Sequence, residues 1–167
     1  MSQTPEREER TRNQAGFVIV FLAAVLAIVS LLDDKNNVAI QNATIQTSNL
    51  YAWYQAKNIR GVLNEISALE TTNAANKEKF LAEKARMDKD KKEIMDKAKA
   101  LEAEREVAEE KSPYFTYGLS TLQIAIVILT ASILLASAAM LYIGAVGGIV
   151  GVILSSQAIW MWIPWLN

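Results

Sequence analysis

The chain contains no cysteine and no histidine. The first absence excludes a disulfide framework and a thiolate site. The second removes the side chain that titrates nearest neutral pH, which is also the commonest metal ligand. With both gone, no Cys–His or Ser–His pair exists for nucleophilic catalysis, and Ser112 has no recognisable partner base. Glycine and proline are sparse, at seven and three residues. Four of the glycines fall between Gly144 and Gly151, inside an apolar run, so no phosphate-cradling or dinucleotide glycine motif exists. Net charge is −1, without the basic stripe that a nucleic-acid partner requires. These absences point away from an enzyme, and no catalytic, cofactor-binding or metal-ligating residue is nominated.

What is present is segregated. Of the 167 residues, 51% are apolar and 21% charged; the apolar ones gather at both ends and the charged ones between. Ala15 to Leu32 has no charge and one hydroxyl, Ser30. A bilayer core about 30 Å thick needs roughly 20 apolar residues as helix. The run's Leu, Ile, Val and Phe residues supply about −5 kcal/mol on the insertion scale. A cleaved leader is the competing reading, since Arg7, Arg10 and Arg12 precede the run. The apolar core of a leader is shorter as a rule, however, and this run continues to Leu32.

A second span is expected over Leu119 to Ala139. It is entered through Ser112-Pro113, read as N-cap and first helical residue, and the aromatics Tyr114, Phe115 and Tyr117. A third is expected over Ile143 to Trp160, with the turn near Met140–Tyr142, an exit belt of Trp160, Trp162 and Trp165, and Pro164 as terminator. Gly144/Gly148 and Gly147/Gly151 form two small-xxx-small steps, a helix-packing face whose partner is either a span of the same chain or of a neighbour. No Asp, Glu, Lys, Arg or His interrupts any span, and none occurs from Ser112 to Asn167. Proton relays, ion paths and voltage sensors use such residues, so a pump or coupled transporter is disfavoured. Gln123 and Gln157 are the only amides in the spans and are expected to hydrogen-bond between helices.

Asp33 to Lys111 has no proline, and Gly61 is its only glycine. Two helical arms, about Asn36–Leu69 and Lys77–Lys111, are separated by the polar stretch 71–76. At about 1.5 Å per residue both arms reach roughly 50 Å, so a helical hairpin would return the chain to its starting level. In the first arm Val38, Ile45, Ala52, Ile59 and Ile66 recur every seven residues, with Gln41, Ser48, Gln55, Val62 and Leu69 as companions. In the second, Phe80, Met87, Ile94 and Leu101 recur likewise, with Lys84, Lys91, Ala98 and Arg105 beside them. Pairs such as Glu93/Lys97 and Asp88/Lys92 suit an exposed helix. Glu102, Glu104, Glu106, Glu109 and Glu110 read as its solvated face. The first arm's stripe is the wider, so Trp53, Tyr54 and Ile59 are expected to meet the same arm of a second subunit.

Two blocks carry a family resemblance. They are Trp53-Tyr54-Gln55-Ala56-Lys57-Asn58-Ile59-Arg60, and Tyr117-Gly118 followed by Leu122-Gln123-Ile124-Ala125-Ile126-Val127. In this order, between a first span and a final hairpin of spans, they resemble the bacterial membrane proteins of domain-of-unknown-function family 4337. The resemblance implies a bacterial inner-membrane protein and brings no activity, cofactor or catalytic residue. The chain lacks the His-rich tail of some members, so a metal role based on that tail does not transfer.

The expected architecture is an all-α membrane protein: a polar tail over 1–14, a first span over 15–32, a coiled-coil-like extramembrane hairpin over 33–111, an interfacial entry and second span over 112–139, and a turn, third span and aromatic end over 140–167. The arginines ahead of the first span favour a cytoplasmic N-terminus and a periplasmic hairpin. Tyr51, Trp53, Tyr54, Gln55, Lys57, Ile59 and Arg60 are the candidate interaction residues, with Lys57 and Arg60 able to meet an anionic partner or stack on the aromatics. Gly144, Gly147, Gly148 and Gly151 are the candidate packing residues. The expected partners are the lipid bilayer, further copies of the chain and another membrane protein. Three roles fit: a self-associating scaffold, an oligomeric pore, or a regulatory subunit binding another membrane protein through residues 36–69.

Overall fold

The computed structural model describes residues 3–161, which form three α-helices and, among the described residues, no strand. Helix α1 spans Gln3–Glu70, α2 Ala74–Leu135 and α3 Ala138–Trp160. The polar start of the chain is thus helical from Gln3, and α1 continues without a break through the first apolar run. All three helices are long and apolar enough to cross a membrane. Trp162, Pro164 and Trp165 lie outside the described residues. Helix α3 is already closed at Met161, whose left-handed backbone conformation is a common C-terminal cap. The Met161 N–H donates to the Gln157 carbonyl at 2.8 Å.

Two junctions correct the sequence reading. Ser112-Pro113 does not start a helix; Pro113 lies inside α2. Proline provides no N–H for the carbonyl four residues earlier. One residue before that carbonyl, Asn36 Nδ2 donates to the Ala108 carbonyl at 2.8 Å, and Thr116 Oγ1 donates to Ser112 O at 3.1 Å. Buried Ala108 and Phe115 hold both flanks of the proline in one packed face. The second correction concerns the turn between α2 and α3, which falls at 136–137 rather than at Met140–Tyr142. Ala136 takes φ 48°, and Ser137 N donates to Ser132 O at 3.2 Å. This helix-terminating geometry usually recruits glycine. With alanine there, the residue types carry no signal of the turn.

The chain divides into two compact units: Met1–Val38 with Ala108–Asn167, and Ala39–Val107. In the first, the inward positions recur at helical spacing: Ala15, Leu22 and Val29 on α1, Phe115, Leu122 and Leu129 on α2, and Leu141, Gly144, Gly148, Gly151, Ser155 and Ala158 on α3. The glycines set the approach. A Cβ added to Gly144 would lie 2.6 Å from Leu129 Cγ, one on Gly151 2.8 Å from Leu122 Cγ, and one on Gly148 2.5 Å from Leu22 Cδ1. Gly147 faces the Ala125 methyl at 3.5 Å. All four therefore face helices of the same chain, three of them α2 and one α1. Gly118 returns the relation, its missing Cβ opposite the Ser155 backbone nitrogen at 3.0 Å. Gln157 is buried within this unit, whereas Gln123 is exposed on the outer side of α2.

Gly151→Val forces a branched side chain against Leu122, including its backbone nitrogen at 3.1 Å, where little can yield. We expect it to destabilise the bundle by about 1–3 kcal/mol. Gly16→Ala, with nothing within 4 Å, leaves stability equal or slightly higher. Denaturant titration of the detergent-solubilised chain, read by Trp fluorescence, checks both.

Candidate interaction surface

The Ala39–Val107 unit is a pair of antiparallel helical segments joined by a short break. Thr71–Asn73 are non-helical, and Asn73 caps α2 through its side-chain oxygen. Asn73 Oδ1 accepts from Ala75 N at 3.0 Å and from Asn76 N at 3.3 Å. Across the pair, Tyr51 OH donates to Glu102 Oε1 at 2.9 Å, Lys57 Nζ to Asp90 Oδ2 at 2.5 Å and Lys91 Nζ to Asn58 Oδ1 at 3.0 Å, while Lys84 pairs with Glu65 at 2.7 Å. Asp88 pairs with Lys91 at 2.8 Å rather than with Lys92.

On α2 the inward face is the one its heptad spacing predicts. Met87 and Ala98 are buried, and Phe80, Ile94 and Leu101 are half-buried, as are Lys84, Lys91 and Arg105. On α1 the inward face is another one. Ala43, Thr47, Gly61 and Ala68 are buried, with Leu50, Tyr54, Lys57 and Asn64 half-buried between them. Val38, Ile45, Ala52, Ile59 and Ile66, the series with the strongest apolar repeat, are all exposed. The reason is volume and polarity. Where Met87 of α2 comes in, α1 offers Gly61, and an added Cβ there would already touch Met87 Cβ at 3.6 Å. Tyr51, Lys57 and Asn58 also find polar partners that an aliphatic face could not offer.

The seven candidate interaction residues divide between the two faces. Tyr51, Tyr54 and Lys57 are half-buried and turned to α2; Trp53, Gln55, Ile59 and Arg60 are exposed. Tyr54 is therefore not part of the outward surplus, and Lys57 is held by Asp90 rather than stacked on an aromatic ring. The cation beside Tyr54 is Lys91, with Nζ 5.9 Å from the ring centroid. Trp53, at 64% exposure, borders an open groove of about 570 Å³ floored by Leu50 and Leu101 and edged by Gln46, Asn49 and Lys97. Leu63, at 57%, joins Ile59 and Ile66 on the outward side, a contribution that the seven-residue series alone missed. Its signal was present, since Leu63 lies four residues after Ile59 and three before Ile66.

Two features now define the class: three helices apolar enough to cross a membrane with no strand among the described residues, and a paired helical segment in which the outward side of α1 carries exposed aliphatic residues. Among the described residues no three His, Cys, Asp or Glu side chains converge as a metal site would require. The chain belongs to the family described as Domain of unknown function (DUF4337), which matches residues 11–161. No curated protein matches it, and no solved structure does.

The Lys57 ammonium beside Asp90 holds that carboxyl below its ordinary value of 3.8, and Lys91 does the same for Asp88. A depressed carboxylate stabilises the fold above its unfolded pKa and loses that contribution as pH falls through the folded value. Pairing of the helices is therefore expected to be constant from pH 7 to about 5 and to loosen below about 4. Amide hydrogen exchange over residues 57–91, corrected for intrinsic rates, should accelerate there, and Asp90→Asn should remove part of that pH dependence.

Proposed function

We propose that this is a non-enzymatic integral membrane protein that self-associates through the outward side of α1 in its Ala39–Val107 unit and serves as a structural or scaffold component. On this reading the three apolar stretches cross the bilayer, and the charged pair of helical segments stands outside it, since placing Lys, Asp or Arg at the bilayer centre costs about 2.5–3.5 kcal/mol each. The arginine-bearing N-terminus is on the cytoplasmic side and the paired segment on the other, in a bacterial inner membrane.

The observation that carries the proposal is the exposed aliphatic side of α1. Ile45, Ala52, Ile59, Leu63 and Ile66 line it, and Asn42, Asn49 and Ala56 complete a second seam at alternating three- and four-residue spacing. Full burial of an Ile or Leu contributes about 1.5–3 kcal/mol. Ile59, Leu63 and Ile66 are 60%, 57% and 44% exposed, so each has about half of that still to gain. A second copy of the same helix supplies matching spacing and places asparagine against asparagine, an arrangement that sets register and partner number. The glycines of α3, packed within their own chain, leave this side of α1 as the contact surface that supports the reading.

The test is the mass of the detergent-solubilised chain by light scattering with the detergent contribution subtracted. A defined multiple of 18.5 kDa is expected. The triple substitution Ile59→Asp, Leu63→Asp and Ile66→Asp should lower that mass while helical content by circular dichroism stays the same. A wild-type chain that is monomeric at all concentrations would overturn the proposal.

A further inference from the structure

Within the uncharged part of α2, one outward stripe is rich in polar residues, beside exposed Tyr117 and Ile124. Thr116, Ser120, Gln123 and Thr130 are all exposed and recur, with Val127 and Leu134, at alternating four- and three-residue spacing. The other two helices differ. The outward residues of α1 and α3 in the same unit include Val20, Phe21 and Ile28, and Val146, Ile149 and Ile153, whereas the polar Ser155 and Gln157 of α3 are buried. Ser30 of α1 is exposed as well, so what sets α2 apart is an exposed amide, Gln123, within its apolar stretch.

Its members do not have equal needs. Thr116 Oγ1 donates to the Ser112 carbonyl at 3.1 Å and Thr130 Oγ1 to the Ile126 carbonyl at 2.8 Å. Both hydroxyls are thus satisfied by their own helix, without a partner. A glutamine amide carries two donors and an acceptor, and Gln123 faces away from its own bundle. Its position is also the least favourable one for an unpaired amide. Gln123 lies midway between Lys111, the last charge, and Leu135, the end of α2. Each is about 18 Å away along the helix. Hydrocarbon at that depth offers neither a donor nor an acceptor.

We propose that Gln123 pairs with Gln123 of a second copy of this chain, α2 against α2 across a two-fold axis, with Ser120 and Val127 flanking the contact. A primary amide is complementary to itself: the N–H of each donates to the carbonyl of the other, which a symmetric interface achieves with one residue type. The short Thr116 and Ser120 side chains let the backbones approach. The inference rests on the membrane reading above but not on the α1 contact surface, which lies on a different helix.

The absence of native cysteine makes the test direct. Single variants S120C and V127C are compared with V20C and V146C, all in full-length chain in membranes, and oxidised before non-reducing electrophoresis. Disulfide-linked dimers are expected from S120C and V127C and not from V20C or V146C. Adding Q123L to S120C should lower the association constant about 3- to 20-fold, the effect of removing an interhelical hydrogen bond, while Q123N should restore part of it. Equal cross-linking at all four positions, or none at 120 and 127, would overturn the proposal. So would reaction of the thiols at 120 and 127 with a membrane-impermeant maleimide, which would show water rather than a second α2 on this face. Chain recovered in the soluble fraction would overturn the membrane reading with it; membrane-retained chain without these cross-links overturns this contact alone. Cross-links that persist in the Ile59, Leu63, Ile66 triple variant would separate it from the α1 surface.

Discussion

Antiparallel pairing of α1 with α2 is a competition between two faces of α1 for one partner. Most inward residues of α2 are bulky or long, from Phe80 through Lys84 and Met87 to Arg105, with Ala98 the small one among them. The inward face of α1 carries Ala43, Gly61 and Ala68 beside half-buried Leu50, Tyr54 and Lys57, and Gly61 lies against Met87. Polar atoms reinforce the choice, because Tyr51, Lys57 and Glu65 meet Glu102, Asp90 and Lys84 across the pair. Once the small and polar side is turned inward, the aliphatic side is left outside by the geometry of a single helix. What the unit presents to other molecules follows from what its own partner helix could accommodate.

The other unit resolves the same problem with glycine. Gly144, Gly148 and Gly151 receive Leu129, Leu22 and Leu122, so α3 approaches both neighbours closely. Dispersion contacts of this kind are what hold helices together where no hydrophobic effect acts between them. The polar residues of α3 turn inward with those glycines, Ser155 donating to the Gly151 carbonyl at 2.8 Å. Helix α2 buries Phe115, Leu122, Leu129 and the Ser132 hydroxyl instead, and Thr116, Ser120, Thr130 and Gln123 are left exposed. Each unit thus leaves outward a stripe whose chemistry differs from its surroundings: aliphatic residues of α1 on the charged pair, and Gln123 with its neighbouring hydroxyls on the apolar bundle.

Much of this was legible from residue order alone. Charge segregation marks the apolar stretches, the heptad of Phe80, Met87, Ile94 and Leu101 marks the inward face of α2, and the small-xxx-small steps mark α3 as a packing helix. Legibility failed where a local signal was absent or outvoted. Ala136 adopts a conformation that glycine usually advertises. Pro113 reads as a helix start, yet packing on both sides carries the helix through it. In α1 the repeat marked a stripe wider than α2 could cover but not which part of it turns outward: Ile59 and Trp53 do and Tyr54 does not, because apolar periodicity reports which residues avoid water and not which partner is available to shield them.

The amino-acid sequence by itself determined helical class, the three membrane-length apolar stretches and the spacing of every stripe, because these depend on local propensity and on transfer from water, residue by residue. Tertiary structure decided which stripe of α1 faces α2, that the glycines of α3 serve their own chain, and that Gln123 points outward. Those outcomes depend on matching volumes and polar groups between segments far apart in the chain, and no single helix encodes the shape of the partner it will meet.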